Sequence, residues 1–508
     1  MGWRITVSVK RVLPILLLAL IWGVGPAWDG LVNGNILGHG HTDLFPSIWG
    51  LWSFAQEQPG LPNETRLLGH PSGMGYYFSS PIKGWIATLT IPLFGLVSTW
   101  NGLLIAARIA TVLTSWAAAR AWGLGEKGSL AAAALYGCSP FFHGYAVEGI
   151  VEGTDGWTLA LWLWALGAKR FRLAAIPFAL TVVSSWYLGM VACLLLVLAT
   201  VWDRRALWSV FGLLMATPAL MQFVSAFPGT APLEDTVRAA MGGHLSIPTP
   251  GIHQGLQPFA ITTYIGFVAL AAALWSRSRW TLLAVAPAFL SLGVGPIYDL
   301  PIAELVRFPY RWHAATLVLL APAVAQATEE WRWGGWIPFL IVLEGLCLSP
   351  VEPIIPSTDP TIPEYVSHID GPVLDIPGPV AMAPGVINRS RKRARYLMYY
   401  QTAHKQPSPW VPDFNSVGVQ DTEHSVTLKT ITAMDPLVKN DRTHSTAVFN
   451  PKILKDLEVN WVVLHRRELG ETKQNYIGKI FEDAGWNTRL RSSNHWILSP
   501  DGTAKESH

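Results

Sequence analysis

A carboxylate and two imidazoles lie close together near the N-terminus. The stretch GHGHTDLFPSIWGLW places His39 and His41 just before Asp43, a few residues after an apolar run as long as a membrane span. These side-chain types can relay protons or bind a divalent metal, although their spacing is not specific for a metal. A carboxylate is costly to hold near lipid, so we expect Asp43 to have a function in water just outside the bilayer. The alternatives are a helix N-cap for Asp43 and ordinary polar loop positions for the histidines.

Three more acids follow in the stretch EGIVEGTDG. Glu148 and Glu152 share a face if a helix extends through them, and could then form an acidic site with Asp43. The three glycines of this stretch favour a loop instead, and Asp155 could cap the next span. A functional cluster and a solvated turn are therefore both open.

Arginines suited to binding phosphate occur in the stretch RFPYRWH. Arg307 and Arg311 carry guanidinium groups, which make bidentate contacts to phosphate oxygens. The alternative is that arginines at a span end extend to lipid headgroups. Tyr310 and Trp312 are typical of the aromatic belt at a membrane surface, and Tyr310 is also a candidate for substrate binding.

The composition predicts a membrane body that would position these side chains. Half of the 508 residues are apolar, 14% are charged, and 25 are tryptophan. The net charge of +3 gives no reason to expect a nucleic-acid partner. The three cysteines are far apart in apolar runs, which predicts small core residues and no disulfide framework.

The hydropathy pattern predicts a bundle of about eleven spans within residues 1–350, and nearly every turn assigned to the cytoplasm carries Lys or Arg. Residues 29–80 would form the first outer loop, which carries Asp43. The segments 81–97 and 173–202 are ambiguous, because the first contains Lys83 and Pro92 and the second has the length of a tight hairpin turning near residues 184–187. The basic N-terminus would be cytoplasmic, and the acids and both arginines would be on the outer side.

A second domain is predicted from residue 351 to 508, where polar residues become frequent. Val373–Ile376 and Trp461–His465 are predicted to be buried strands, and Gln474–Ala484 an amphipathic helix closed by Gly485. The expected fold is a small α/β domain on the outer face of the membrane. The basic run Arg389–Arg395 is predicted to be a solvated loop, with contact to anionic lipid or phosphate as the alternative.

The order of these features resembles the GT-C superfamily of polytopic glycosyltransferases. The resemblance is carried by HTDLFPSIWGLW, LLGHPSGMGYYF, SSWYLG and RFPYRWH, with GPVLDIPGP and RYLMYYQTAHKQP similar to outer domains of bacterial members. It implies a lipid-phosphate-linked sugar donor and a catalytic carboxylate in the first outer loop, which would be Asp43. The chain differs from the family in having no adjacent acidic pair there.

The resemblance implies a membrane glycosyltransferase that moves a sugar from a polyprenyl-phosphate donor to an acceptor on the outer face of a bacterial cytoplasmic membrane. Asp43, with Glu148 as a second catalytic candidate, would act as general base on the acceptor hydroxyl. His39, His41, Glu152, Asp155, Tyr310 and one or both of Arg307 and Arg311 would bind substrate. The expected partners are the lipid-linked donor, membrane lipids and an acceptor glycan, lipid or protein, with no cofactor clearly encoded and a divalent metal left open. The alternatives are a transporter or flippase of lipid-linked substrates and an inactive scaffold.

Overall fold

The structure is a computed structural model, and it describes residues 9–40, 43–57, 64–71, 73–226, 263–293, 309–376, 395–409 and 453–500. Within these residues the protein is mainly helical, with a small sheet near the C-terminus. The predicted site residues His41 and Arg307, and most of the basic run Arg389–Arg395, lie outside the described residues.

The helices define the larger part of the fold. In chain order they are α1 (Val9–Val24), α2 (Trp28–Val32), α3 (Leu44–Glu57), α4 (Pro81–Phe94), α5 (Leu96–Ala121), α6 (Glu126–Gly137), α7 (Pro140–Val147), α8 (Gly156–Gly167), α9 (Ala175–Ser184), α10 (Trp186–Trp202), α11 (Val210–Ala226), α12 (Phe267–Trp275), α13 (Arg279–Ser291), α14 (His313–Glu330), α15 (Ile337–Cys347), α16 (Tyr396–His404), α17 (Ile453–Asp456), α18 (Arg466–Leu469) and α19 (Glu471–Asp483). Short 3-10 helices lie at Gly25–Ala27, Val151–Thr154, Arg204–Ser209, Pro309–Trp312, Gly334–Trp336 and Glu364–His368.

The strands are short, except near the C-terminus. They are β1 (Ile36–Leu37), β2 (Glu64–Thr65), β3 (Met74–Gly75), β4 (Ser357–Thr358), β5 (Val373–Ile376), β6 (Trp461–His465), β7 (Trp486–Arg491) and β8 (His495–Pro500). Strand β1 pairs with β4 and β2 pairs with β3, while β5, β6, β8 and β7 form one sheet in that order.

The chain divides into two compact units. The first unit consists of Met1–His39, Ser79–Leu220 and Ala231–Pro360, and the second consists of Gly40–Phe78, Met221–Thr230 and Thr361–His508. The predicted division into residues 1–350 and 351–508 stays a prediction.

The first unit has a core built from helices that are apolar around most of their circumference. Helix α5 packs against α8 and α6, and α14 packs against α6 and α13. Side chains such as Trp162, Phe178 and Leu317 are fully buried between these helices. A helix that is apolar on all sides is typical of a membrane span or a large core.

Three helical stretches are long and apolar enough to cross a membrane: Val12–Val32, Leu96–Ala121 and Arg204–Phe223. Helices α9 and α10 and the segment Gly334–Cys347 are apolar but shorter. The fold is thus that of an integral membrane protein, whereas the count of eleven spans and the orientation of the termini stay predictions.

The apolar run from Leu130 to Val147, which its hydropathy predicts to be a single span, forms two helices, α6 and α7. The break falls at Cys138 and Ser139, directly before Pro140. Proline has no N–H to donate and fits the first turn of a helix, where Ser139 caps α7 by accepting the N–H of Phe142. Ser185 is extended between α9 and α10, so a helix break falls within residues 184–187, where the hairpin turn is predicted.

The second unit contains the predicted α/β region. Strands β5 and β6 have the predicted bounds, and α19 covers nearly all of the predicted amphipathic helix. Strand β5 runs parallel to β6, and β8 runs antiparallel to both β6 and β7. Strand β6 is buried along its whole length, which fits its apolar sequence up to His465.

The second unit also contains the first loop of the chain. Helix α3 packs against α16, where the indole of Trp49 donates to the side-chain oxygen of Gln401 at 2.7 Å. The amide of Gln401 donates to the carbonyl of Leu67, and the N–H of Ser408 donates to the same carbonyl. Asp43 is therefore positioned by residues of the C-terminal region, more than 350 positions away in the sequence.

Candidate functional site

Two of the predicted acids lie on a tight turn between α7 and α8. Glu152 belongs to the 3-10 helix Val151–Thr154, and Asp155 follows it directly. Gly153 is needed here, because a Cβ atom would lie 1.9 Å from the ring of Tyr145. The glycine therefore lets the acidic turn approach the aromatic core closely.

Glu152 forms an ion pair with Arg311 of the 3-10 helix Pro309–Trp312. The guanidinium nitrogen lies 3.3 Å from a carboxylate oxygen, and 8% and 14% of the two side chains are exposed. The hydroxyl of Ser79 donates to the other carboxylate oxygen at 3.0 Å. Glu152 is thus not part of a solvated turn, and one of its functions is to orient Arg311.

Aromatic rings surround the guanidinium of Arg311. Its central carbon lies 3.5 Å from the ring centroid of Tyr187 and 5.7 Å from that of Tyr145. A guanidinium plane stacks well on an aromatic face, whereas an ammonium group does not. The alternative that Arg311 extends to headgroups is wrong, because the side chain is buried.

Asp155 forms a second ion pair, with Lys83 of α4. The ammonium nitrogen lies 3.0 Å from a carboxylate oxygen, and both side chains are buried. Lys83 also donates to the carbonyl of Val151 at 2.6 Å and to the hydroxyl of Thr154, while the hydroxyl of Ser80 donates to Asp155. Because the Lys83 ammonium group donates to Val151, Thr154 and Asp155, it is held by the same turn that carries Glu152.

The alternative that the Asp155 side chain caps α8 is wrong. Its side chain makes no capping hydrogen bond to α8. Instead its backbone carbonyl accepts the N–H and hydroxyl of Thr158, while the carboxylate points to Lys83 and Ser80. The burial of this charge requires a partner, and the partner is a lysine noted in the sequence only as an interruption of an apolar run.

The two ion pairs share one scaffold. Ser79 and Ser80 are neighbours in the chain and donate to Glu152 and Asp155, respectively. Two adjacent serines of the first unit thus hold two carboxylates, and each carboxylate pairs with one cation. The cluster provides a preorganised, water-poor set of donors and charges.

Asp43 lies in the second unit, directly before α3, where it pairs with Arg395. Its backbone carbonyl accepts the N–H of Ser47, which begins the helix. The side chain accepts a hydrogen bond from the guanidinium of Arg395, which is itself buried. The burial of Arg395 therefore contradicts the prediction that this residue belongs to a solvated loop. The rest of the basic run lies outside the described residues.

The other predicted residues have varied environments. Glu148 is buried just after α7, and the N–H of His39 donates to the carbonyl of Val147 at 2.8 Å. Tyr310 is fully buried, with its ring centroid 6.4 Å from that of Tyr145. A residue of the aromatic belt would be half in contact with water, so the belt assignment of Tyr310 is corrected.

Three of the predicted acids already have cationic partners among the described residues. Asp43, Glu152 and Asp155 each pair with Arg or Lys, whereas a hard cation requires several oxygen ligands whose negative charge is not already neutralised. Among the described residues no group of three His, Cys, Asp or Glu side chains is suitably placed for a metal. We assign no step of the reaction to a metal.

The sequence also gave no sign of a histidine cluster on the C-terminal sheet. Asp375 of β5 lies 2.8 Å from the imidazole of His465 at the end of β6. His495 of β8 is opposite His465 in the register, and burial lowers the pKa of His495 to about 4. Burial also lowers the pKa of His404 to about 4, and its Nδ1 accepts the N–H of Gln406.

Comparison with known proteins identifies the fold. No protein-family model matches the chain, and no curated protein sequence does. The chain is similar to the cryo-EM structure of arabinofuranosyltransferase AftD from Mycobacteria, with a TM-score of 0.55 and 15% identity over 97% of this chain. A mutant of that enzyme gives a TM-score of 0.58 at 14% identity.

An archaeal enzyme gives a similar result. The crystal structure of the Archaeoglobus fulgidus oligosaccharyltransferase in complex with zinc and sulfate has a TM-score of 0.54 and 11% identity over 91% of this chain. The chain spans 40% of the mycobacterial enzyme and 68% of the archaeal one. Both neighbours are GT-C glycosyltransferases, so the predicted resemblance is confirmed at the level of fold: this chain has the GT-C fold.

Proposed function

We propose that this protein is a membrane glycosyltransferase that moves a sugar from a polyprenyl-phosphate donor to an acceptor on the outer face of a bacterial cytoplasmic membrane. The GT-C fold supports the general class. The observation that carries the finer assignment is the burial of Arg311, held by Glu152 and stacked on Tyr187.

Arg311 binds the donor phosphate in this proposal. When the bond between the anomeric carbon and the phosphate oxygen breaks, the departing lipid phosphate gains negative charge. A fixed guanidinium stabilises that charge more in the transition state than in the bound donor, which lowers the barrier. Glu152 keeps the guanidinium in place, and Tyr187 holds its plane.

Asp43 acts as the general base. It takes the proton of the acceptor hydroxyl as the hydroxyl oxygen attacks the anomeric carbon. A carboxylate has two oxygens, so Arg395 can orient the group through one of them while the other accepts the proton. Arg395 is then a positioning residue, and Glu148 remains a second candidate for acid or base.

The test is a transfer assay in liposomes with radiolabelled polyprenyl-phosphate sugars. Asp43→Asn removes the base while keeping the shape of the side chain, and we expect transfer to fall by about 100-fold or more. The matched control is Asp29→Asn, because Asp29 is an exposed acid of the same predicted outer loop. Wild-type turnover in a folded Asp43→Asn protein would remove the proposed base.

A further inference from the structure

An apolar cavity lies within the first unit, away from the ion pairs described above. Its volume is about 190 Å³, and helices α5, α6, α8, α10, α13 and α14 form its walls. Most of the lining is aliphatic, with Leu163, Leu195, Leu198 and Leu319 among the wall residues. The cavity is a feature of the helix packing that the proposed function does not use.

The two hydroxyl groups of the wall already form hydrogen bonds within the protein. The hydroxyl of Tyr136 donates to the carbonyl of Gly156 at 3.0 Å, and the hydroxyl of Ser115 donates within its own helix. A water molecule needs several polar partners to be stable in a cavity, and the hydrogens of these two hydroxyls are already used. An engineered apolar cavity of about 150 Å³ stays dry and binds benzene, so this larger one has room for a segment of hydrocarbon chain.

Indole rings lie at one end of the cavity. Trp122, Trp202 and Trp280 all line it, and the first two are 46% and 44% exposed. Trp202 stacks on Trp280, with ring centroids 4.7 Å apart and an angle of 18° between the planes. Tryptophans at helix ends favour the headgroup zone, which places this end of the cavity at a membrane surface.

The same end is basic. Helix α10 ends at Trp202 and is followed by Asp203, Arg204 and Arg205, while Arg277 and Arg279 precede or begin α13. The guanidinium of Arg279 lies 5.3 Å from the ring centroid of Trp202. Four arginines against one aspartate favour an anionic headgroup beside the indoles.

We propose that this cavity binds one acyl chain of an anionic phospholipid from the leaflet on the basic side of the protein. The chain would lie between α8, α10 and α14, and the phosphate of the headgroup would lie beside Arg279. An apolar interior next to a cationic rim distinguishes such a site from nonspecific contact with the bulk lipid.

The test uses the full-length protein reconstituted in vesicles of equal phosphatidylglycerol and phosphatidylcholine with identical chains, followed by native mass spectrometry of the extracted protein. Wild type should retain one phosphatidylglycerol in preference to phosphatidylcholine. Ala199→Phe places a ring in the cavity and should reduce retention at least fivefold. The matched control is Val201→Phe on the same helix, where the side chain is 84% exposed, and it should retain lipid as wild type does.

A second pair of variants tests the headgroup. Arg279→Gln should lower the preference for phosphatidylglycerol by about fivefold. Arg332→Gln is the control, because Arg332 also packs over an indole, that of Trp333, but does not line the cavity, and it should leave the preference unchanged. Equal retention of both lipids by wild type, or equal retention by Ala199→Phe and wild type, would overturn the proposal.

A photo-cross-linking experiment removes the dependence on a folded variant. Phosphatidylglycerol with a diazirine at the end of its chain should label cavity residues such as Leu195 and Leu198 in wild type. Labelling confined to outward residues such as Val201 would overturn the proposal, as would displacement of the phospholipid by an equal amount of polyprenyl phosphate.

Discussion

Arg311 and Glu152 form a buried ion pair although 158 residues separate them in the sequence, and the guanidinium that Glu152 holds at 3.3 Å also stacks on Tyr187. Arg311 belongs to RFPYRWH and Tyr187 to SSWYLG, two of the stretches on which the resemblance depends. The structure thus brings two separate motifs together around one cation. This relationship gives the most specific expectations for mutagenesis.

Arg311→Lys keeps the charge but loses the planar group. We expect the KM for the lipid-linked donor to rise by about 10- to 100-fold, since hydrogen bonds to charged groups contribute about 1.5–3 kcal/mol. Steady-state kinetics at saturating acceptor measures the change. Arg205→Lys is the control, because Arg205 is an exposed arginine that also pairs with an acid, Asp203, and its replacement should leave KM unchanged.

Lys83→Met leaves Asp155 buried without its counter-charge. We expect the free energy of unfolding to fall by about 3–5 kcal/mol, which would be measured as a lower Tm in detergent. The double variant Lys83→Met with Asp155→Asn removes both charges and should recover much of the loss. Lys127→Met is the control, because it changes an exposed lysine and should alter Tm little. An equal loss of Tm in Lys83→Met and Lys127→Met would contradict a structural role for the buried pair.

Gly153→Ala tests the close approach of the acidic turn to Tyr145. The added methyl would overlap the ring, so the turn must shift and we expect both Tm and transfer activity to fall. Gly102→Ala in α5 is the control, because no atom lies within 4 Å of its added carbon. Alanine is favoured in helices, so this control should be neutral or raise stability by up to about 1 kcal/mol. Full activity in Gly153→Ala would contradict the proposed packing.

The stability of the second unit should depend on pH through His495 and His404. Their pKa of about 4 in the folded protein is below the value of about 6.5 expected when unfolded. The unfolded chain therefore binds more protons between these values, so stability is complete above about pH 6.5 and falls as the pH drops toward 4. Hydrogen exchange of the sheet amides at pH 7 and pH 5 measures the loss.

His495→Gln should reduce that pH dependence, because it removes one of the two groups. His368→Gln is the matched control, since His368 is exposed, and it should preserve the wild-type dependence. An unchanged dependence in His495→Gln would assign the effect to other groups.

The sequence predicted two of the four strands of the C-terminal sheet, β5 and β6, but not β7 and β8. Val373–Ile376 is apolar except for Asp375, and Trp461–His465 is apolar up to its last residue, so the local pattern indicates where these two strands lie. The break between α6 and α7 was missed, because an apolar run hides the effect of Ser139 and Pro140. Hydropathy measures only the average over a window, whereas a proline acts at one position.

For the candidate site, the sequence indicated residue types but not the residues with which they interact. Arg311, Glu152 and Asp155 were identified as candidates, yet Lys83, Tyr187 and Arg395 were not. Their roles depend on contacts between residues distant in sequence, which no local spacing encodes. Lys83 offered one signal, since a lysine within an apolar helix requires a buried acid nearby. The carboxylate of Glu344, which accepts the N–H groups of Phe267 and Val268 at the start of α12, was missed in the same way.

In the proposed reaction a sugar leaves a lipid phosphate on this protein. The most direct measurement incubates purified wild-type protein in liposomes with a polyprenyl-phosphate sugar and an acceptor, and quantifies free polyprenyl phosphate by mass spectrometry. We predict that free lipid phosphate and glycosylated acceptor appear in equal amounts, and that Asp43→Asn lowers both by about 100-fold or more. Movement of intact donor across the bilayer without release of lipid phosphate would contradict the account.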